Sequence, residues 1–117
     1  MANTKYDTRW SLEEALSLIR RISPGLKVAG FYVGLTGSVL TVGASQHDLD
    51  LIVYPAQSTV TTDFSLARYI LISEGWEVYI PAERVQYHWR KKGNNDTKEV
   101  EVWLTGDNRR VDVFFLR

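Results

Sequence analysis

The feature that most constrains this chain is an acidic pair set at the mouth of an apolar strand. Asp48-Leu49-Asp50-Leu51-Ile52-Val53-Tyr54 alternates at first, then runs continuously apolar until Pro55 stops it. Strand alternation puts Asp48 and Asp50 on one face and Leu49, Leu51 and Val53 on the other. Two carboxylates so placed repel each other, and setting them at the end of an apolar strand is costly unless a cation or a paired base lies between them. The nearby sequence offers only His47. A hard divalent cation is the simplest partner, and Mg²⁺ is commonly held by one or two carboxylates with substrate phosphates in its other positions.

The surrounding pattern alternates helices and strands. Ser11-Leu12-Glu13-Glu14 is a capping box, and Leu12, Leu16, Ile19 and Ile22 recur at helical spacing until Pro24-Gly25, which predicts an amphipathic helix over 11–23. Val28 to Leu35 reads as a buried strand leading to Thr36-Gly37-Ser38. Residues 63–74 read as a second helix, with Asp63 as N-cap and Gly75 as the residue just past its end. Trp76–Ile80 alternates like a short strand, and Pro81 opens a helical stretch through Trp89. Lys98–Leu104, the turn Thr105-Gly106-Asp107-Asn108, and Arg110–Leu116 form a terminal hairpin. The expected architecture is α/β (α+β), with a mixed β-sheet and helices chiefly on one face.

Length and composition narrow the function classes. At 117 residues, one domain spanning 1–117 is expected, and the linker-like stretch Lys91–Thr97 is too short to separate two. Without cysteine there are no disulfides, thiol nucleophiles or zinc ribbons, and with only His47 and His88 a zinc site has little to work with. No run approaches the roughly 20 apolar residues of a membrane span. The polar N-terminus lacks a secretory core, so a cytoplasmic location is expected, in a bacterium or in the host of a bacterial virus. Fourteen basic and fourteen acidic side chains cancel, so a nucleic-acid contact must be local. The densest basic-aromatic segment holds Arg84, His88, Arg90, Lys91 and Lys92 among Tyr87 and Trp89. It makes Arg84, Arg90 and Lys91 candidate nucleic-acid contacts, set against the plainer reading of a solvated helix face. Trp10, Trp76 and Trp103 read as core or rim packing.

Nine residues separate Gly37-Ser38 from Asp48. A glycine at a strand end lets backbone N–H groups approach phosphate oxygens, and a serine hydroxyl adds a donor, although an isolated serine there can also simply cap a helix. Asp112 is the one charged residue in the apolar run 111–116, hence the candidate third carboxylate. Its plainer alternative is a structural pair with Arg109, Arg110 or a lysine on a neighbouring strand. Three carboxylates can clamp two metals about 3.5–4 Å apart, the arrangement that stabilises attacking and leaving oxygens in phosphoryl displacement. The P-loop and dinucleotide-binding glycine patterns are absent.

Gly37-Ser38, Asp48-Leu49-Asp50-Leu51 and Val111-Asp112-Val113, in this order, resemble the signature of the polymerase-beta-type nucleotidyltransferase superfamily. The resemblance spans the coarse order of elements and implies a nucleotidyltransferase-like fold. It also implies that Gly37 and Ser38 bind nucleotide phosphates, that Asp48 and Asp50 hold both metals (Mg²⁺ or Mn²⁺), and that Asp112 holds the catalytic metal and helps activate the acceptor hydroxyl. The implied reaction moves a nucleoside monophosphate from a nucleoside triphosphate to a hydroxyl of RNA, protein or a small molecule, releasing pyrophosphate. Two departures stand out. Small members often place an arginine after Gly-Ser, where this chain has Val39. Larger members add a helical domain for base and acceptor, so a second copy of the chain or another partner would complete the site. The rival expectation is a non-catalytic relative acting as a binding, inhibitor or antitoxin-like partner.

Overall fold

The computed structural model describes residues 7–37, 39, 43–45, 49–56, 63–81 and 98–116. A two-residue strand β1 (Trp10–Ser11) leads into α1 (Leu12–Val28). The capping box forms as the sequence predicts: Ser11 Oγ accepts from the Glu14 N–H (3.1 Å) and Glu14 Oε1 accepts from the Ser11 N–H (2.9 Å). The expected stop at Pro24-Gly25 is wrong, because α1 runs on to Val28 with Pro24 inside it. Proline forfeits one intrahelical bond, but packing compensates. Leu26, in the extra turn, is fully buried, and Gly25 lets the second helix approach so closely that an added Cβ would stand 3.0 Å from Ile70 Cγ2. Past the C-cap residue Ala29 stands Gly30, whose φ of 98° suits a residue without Cβ and whose N–H donates to the Lys27 carbonyl. The strand expected from Val28 therefore begins only at Phe31.

After β2 (Phe31–Thr36) come β3 (Ala44–Ser45), β4 (Leu49–Pro55), α2 (Ser65–Ser73), β5 (Glu77–Ile80), β6 (Lys98–Leu104) and β7 (Arg110–Leu116). Helix α2 starts later than expected, with Phe64 rather than Asp63 at the N-cap position. The Phe64 ring is buried between Phe31 and Phe115, at 5.7 and 5.0 Å, and this fixes the helix start. Asp63 still helps there, accepting from the Ser65 N–H at 3.0 Å. Gly75 closes α2 as expected. Its φ is 89°, its N–H donates to Ile72 and that of Trp76 to Leu71, which is a Schellman arrangement. Trp76 thus belongs to the helix cap, and β5 starts one residue later than expected.

Five strands form a mixed sheet in the order β2-β4-β7-β6-β5, while β1 and β3 pair separately. Strands β4 and β7 are parallel and the other neighbours antiparallel. The terminal hairpin is β6–β7, with Asn108 at φ 64° in its turn. Leu49, Leu51, Val53, Val111, Val113, Phe115 and Trp103 point to one face and form a single buried cluster with Ala15, Ile22 and Leu26 of α1 and Ala67 and Leu71 of α2. Both described helices therefore cover the same face, as expected. All three candidate packing tryptophans, Trp10, Trp76 and Trp103, are buried. Among the described residues no helix is long and apolar enough to cross a membrane. Of the helix expected over 81–89 only Pro81, which is not helical, is described, and residues 82–89 and the stretch Lys91–Thr97 lie outside the described residues.

Candidate active site

Parallel pairing of β4 with β7 sets Asp50 directly beside Asp112. Adjacent strands lie about 4.8 Å apart, and laterally paired residues share a face. That face is the one opposite the helices, since Leu49, Leu51, Val111 and Val113 occupy the helix side. Thr36 of β2 pairs with Asp50 and Val102 of β6 with Asp112, so the two carboxylates are bracketed by uncharged side chains. Asp50 is half-buried, and the Asp112 side chain is 14% exposed. The alternation predicted for Leu49-Asp50-Leu51 is thus realised, and the strand that carries Asp112 is its immediate neighbour.

Gly37 follows β2 at the same end of the sheet. Its φ of 79° lies where L side chains are strained, and an added Cβ would overlap Asp50 Oδ2 and stand 3.0 Å from Asp50 Cγ. Only a residue without Cβ lets this backbone lie against the carboxylate. The glycine of the predicted phosphate loop and an aspartate of the predicted metal pair are therefore in contact.

Arg110 is the residue that sequence reasoning weighed only as a structural partner. Its Nε donates to Asp112 Oδ1 at 2.9 Å and its Nη2 to Oδ2 at 3.3 Å. Two residues apart on a strand, both side chains share the face opposite the described helices, and that spacing was the available signal. Arg109 points elsewhere: its guanidinium lies 3.7 Å from the centre of the Trp10 ring and pairs with Glu14 at 3.1 Å.

Ser38 and Asp48 lie outside the described residues, as do Arg84, Arg90 and Lys91. Among the described residues no cluster of three or more His, Cys, Asp or Glu side chains is poised to hold a metal. The described part of the predicted ligand set is the Asp50–Asp112 pair. Its donors are all carboxylate oxygens, the chemistry that suits a hard divalent cation. A cavity of about 540 Å³ opens on the other side of the sheet, lined by Glu13, Ser17, Arg21, Glu74, Trp76 and Gly106 among others, and it includes neither aspartate. We place the candidate site at the carboxylates because charge, register and the glycine contact coincide there.

No protein-family model matches the sequence, and no curated protein does. In three dimensions the chain is similar to the structure of a cytoplasmic RNA terminal U-transferase, with a TM-score of 0.59 and 16% sequence identity. The match covers 89% of this chain and 28% of that one, so the chain spans little more than a quarter of that protein's length. At this identity the likeness speaks to architecture alone. The five-stranded mixed sheet with its two described helices has a nucleotidyltransferase-like fold.

Proposed function

We propose that this chain is a metal-dependent nucleotidyltransferase that moves a nucleoside monophosphate from a nucleoside triphosphate to an acceptor hydroxyl. The observation that carries this reading is the lateral pairing of Asp50 with Asp112 on the sheet face opposite the two described helices, with Gly37 backed against Asp50. In the reaction the acceptor oxygen attacks the α-phosphorus, the bond from that phosphorus to the β-phosphate bridging oxygen breaks, and pyrophosphate leaves. The Gly37 backbone and Ser38 would hold the phosphate tail, and Asp48, Asp50 and Asp112 would hold Mg²⁺ or Mn²⁺. When bound, the metal supplies charge stabilisation at the attacking and leaving oxygens. Asp112 would also take up the acceptor hydroxyl proton, passing it on to water. A cytoplasmic site of action and an RNA acceptor fit this reading, as the structural neighbour acts on RNA in that compartment.

Isothermal titration with each of the four common nucleoside triphosphates and Mg²⁺ tests the site, and transfer of label from α-³²P-triphosphates to cellular RNA or protein tests the reaction. Binding and transfer that both disappear in Asp50→Asn and Asp112→Asn are expected. Absence of Mg²⁺-dependent binding for all four nucleotides would sink the proposal. The Arg110–Asp112 pair, which neutralises Asp112 within the chain itself, favours a second reading of a non-catalytic binding or antitoxin-like protein on the same fold. Label transfer that depends on both aspartates excludes that reading.

A further inference from the structure

The Arg110 guanidinium occupies both oxygens of a carboxylate that a divalent cation would need. Its backbone is anchored separately: the Arg110 N–H donates to the Asp7 carbonyl at 2.9 Å, and its carbonyl accepts the Trp10 indole N–H at 2.8 Å. A change of side-chain partner therefore asks nothing of the strand. The side chain is 26% exposed and shares the sheet face of Asp50 and Asp112, two residues along the strand from Asp112. Val39, the residue after the Gly-Ser pair, is fully buried and apolar and offers a triphosphate no charge. Among the described residues, Arg110 is the basic side chain paired with a carboxylate of the candidate site. The planar fork of arginine matches phosphate oxygens in the same two-pronged way that it matches a carboxylate.

We propose that Arg110 is an exchangeable counter-ion: it holds Asp112 in the unliganded protein, releases that carboxylate to a divalent cation, and turns its fork to the triphosphate oxygens. This rests on the nucleotidyl-transfer reading above. One residue then links two binding events. Cation binding makes the guanidinium available to nucleotide, and nucleotide draws it off Asp112, so each ligand strengthens the other, with a coupling that is reciprocal by linkage.

The test measures Mn²⁺ binding by electron paramagnetic resonance without nucleotide, and binding of the four nucleoside triphosphates by calorimetry at saturating Mg²⁺. Both use the wild-type chain, Arg110→Gln and Arg110→Lys, with circular dichroism melts as the folding control. Loss of a competitor for Asp112 should tighten Mn²⁺ binding in Arg110→Gln. Loss of a two-pronged charge-assisted contact should weaken nucleotide binding by roughly tenfold or more. Arg110→Lys, which keeps the charge without the fork, should fall between, and it carries the test in the same direction should the glutamine variant fail to fold. Mn²⁺ affinity that is unchanged or weaker in the variants would reduce Arg110 to a support for Asp112 and overturn the exchange. Unchanged nucleotide affinity would overturn the phosphate contact. A wild-type protein that binds both ligands, with variants that match it, defeats this inference alone. A wild-type protein that binds neither defeats the functional reading beneath it.

Discussion

At the residue scale, two glycines separate what the site requires from what the strand tolerates. Gly34, within β2, has open space where a Cβ would go, whereas Gly37 has φ 79° and the Asp50 carboxylate in that space. Gly37→Ala must relieve a left-handed conformation that costs about 1–2 kcal/mol for a residue with Cβ, and must also push Asp50 aside. We expect it to abolish measurable nucleoside triphosphate binding while the protein stays folded. Gly34→Ala should leave stability within about 0.5 kcal/mol of wild type, or improve it slightly by removing strand glycine entropy. Urea denaturation and nucleotide titration of both variants check the pair. Wild-type nucleotide affinity in Gly37→Ala would remove Gly37 from the candidate site.

At the scale of elements, α2 is tied to the sheet by a cluster of ions on the helix face. Arg68 of α2 bonds both oxygens of Glu101 at 3.2 Å and Glu99 Oε2 at 2.8 Å, and its guanidinium stacks 4.8 Å from the centre of the Phe115 ring. Burial works against the Arg68 charge, but the bonds to Glu101 and then Glu99 outweigh it and raise its pKa above the ordinary value. Glu101, only 5% exposed, also accepts the Trp103 indole N–H at 3.1 Å. Glu101→Leu strands the buried Trp103 N–H and the part-buried Arg68 Nε and should cost about 2–3 kcal/mol, discounted because Arg68 is partly solvated. Glu101→Gln should cost less, since its amide oxygen can still accept from Trp103. Equal stability of the leucine variant and wild type in urea would show that the cluster adds nothing net. The sequence makes this level of structure legible only where the signal is local. The Ser11 cap, the Gly75 stop, the 105–108 turn and the face of Asp50 all follow from neighbours in the chain. The end of α1 does not, because Pro24-Gly25 breaks a helix unless Leu26 and Ile70 pack around it, and that packing is tertiary. The pairing of Asp50 with Asp112 is also hidden from periodicity, which assigns a face to each residue but no neighbouring strand. Order along the chain hinted at it through the family resemblance, and Arg110 was legible only as an alternative partner for Asp112.

Across the whole molecule, residues 7–11 form a strap that binds the start of the described chain to its terminal hairpin. The Asp7 N–H donates to the Asn108 carbonyl at 3.0 Å, and the Asp7 carbonyl accepts the Arg110 N–H at 2.9 Å. Trp10 is held from both sides, its indole N–H on the Arg110 carbonyl and its ring under the Arg109 guanidinium. Arg109 in turn pairs with Glu14 and donates to the Arg9 carbonyl. The strap therefore supports the strand segment that carries Arg110 and Asp112, and its strength should depend on pH. The hydrogen bond from Arg109, followed by that from the Ser11 N–H, holds the Glu14 carboxyl below its ordinary value of 4.5. The Asp7 carboxyl is lowered too, first by the Arg9 backbone N–H and then by the Arg9 side chain. A carboxyl whose folded pKa is depressed stabilises the fold above its unfolded pKa, and that stability is lost as pH falls through the folded value. Glu14→Gln should therefore be less stable than wild type at neutral pH, by under about 1 kcal/mol because Glu14 is half exposed and the pair is screened. The gap should close as pH drops below 4.5 and Glu14 itself becomes protonated in the wild-type protein. Melting both proteins from pH 7 to about pH 3 reads this directly, since only a charge-dependent contribution converges. A gap that stayed constant over that range would assign the contribution of Glu14 to its packing and the Ser11 cap, with no part played by its charge toward Arg109.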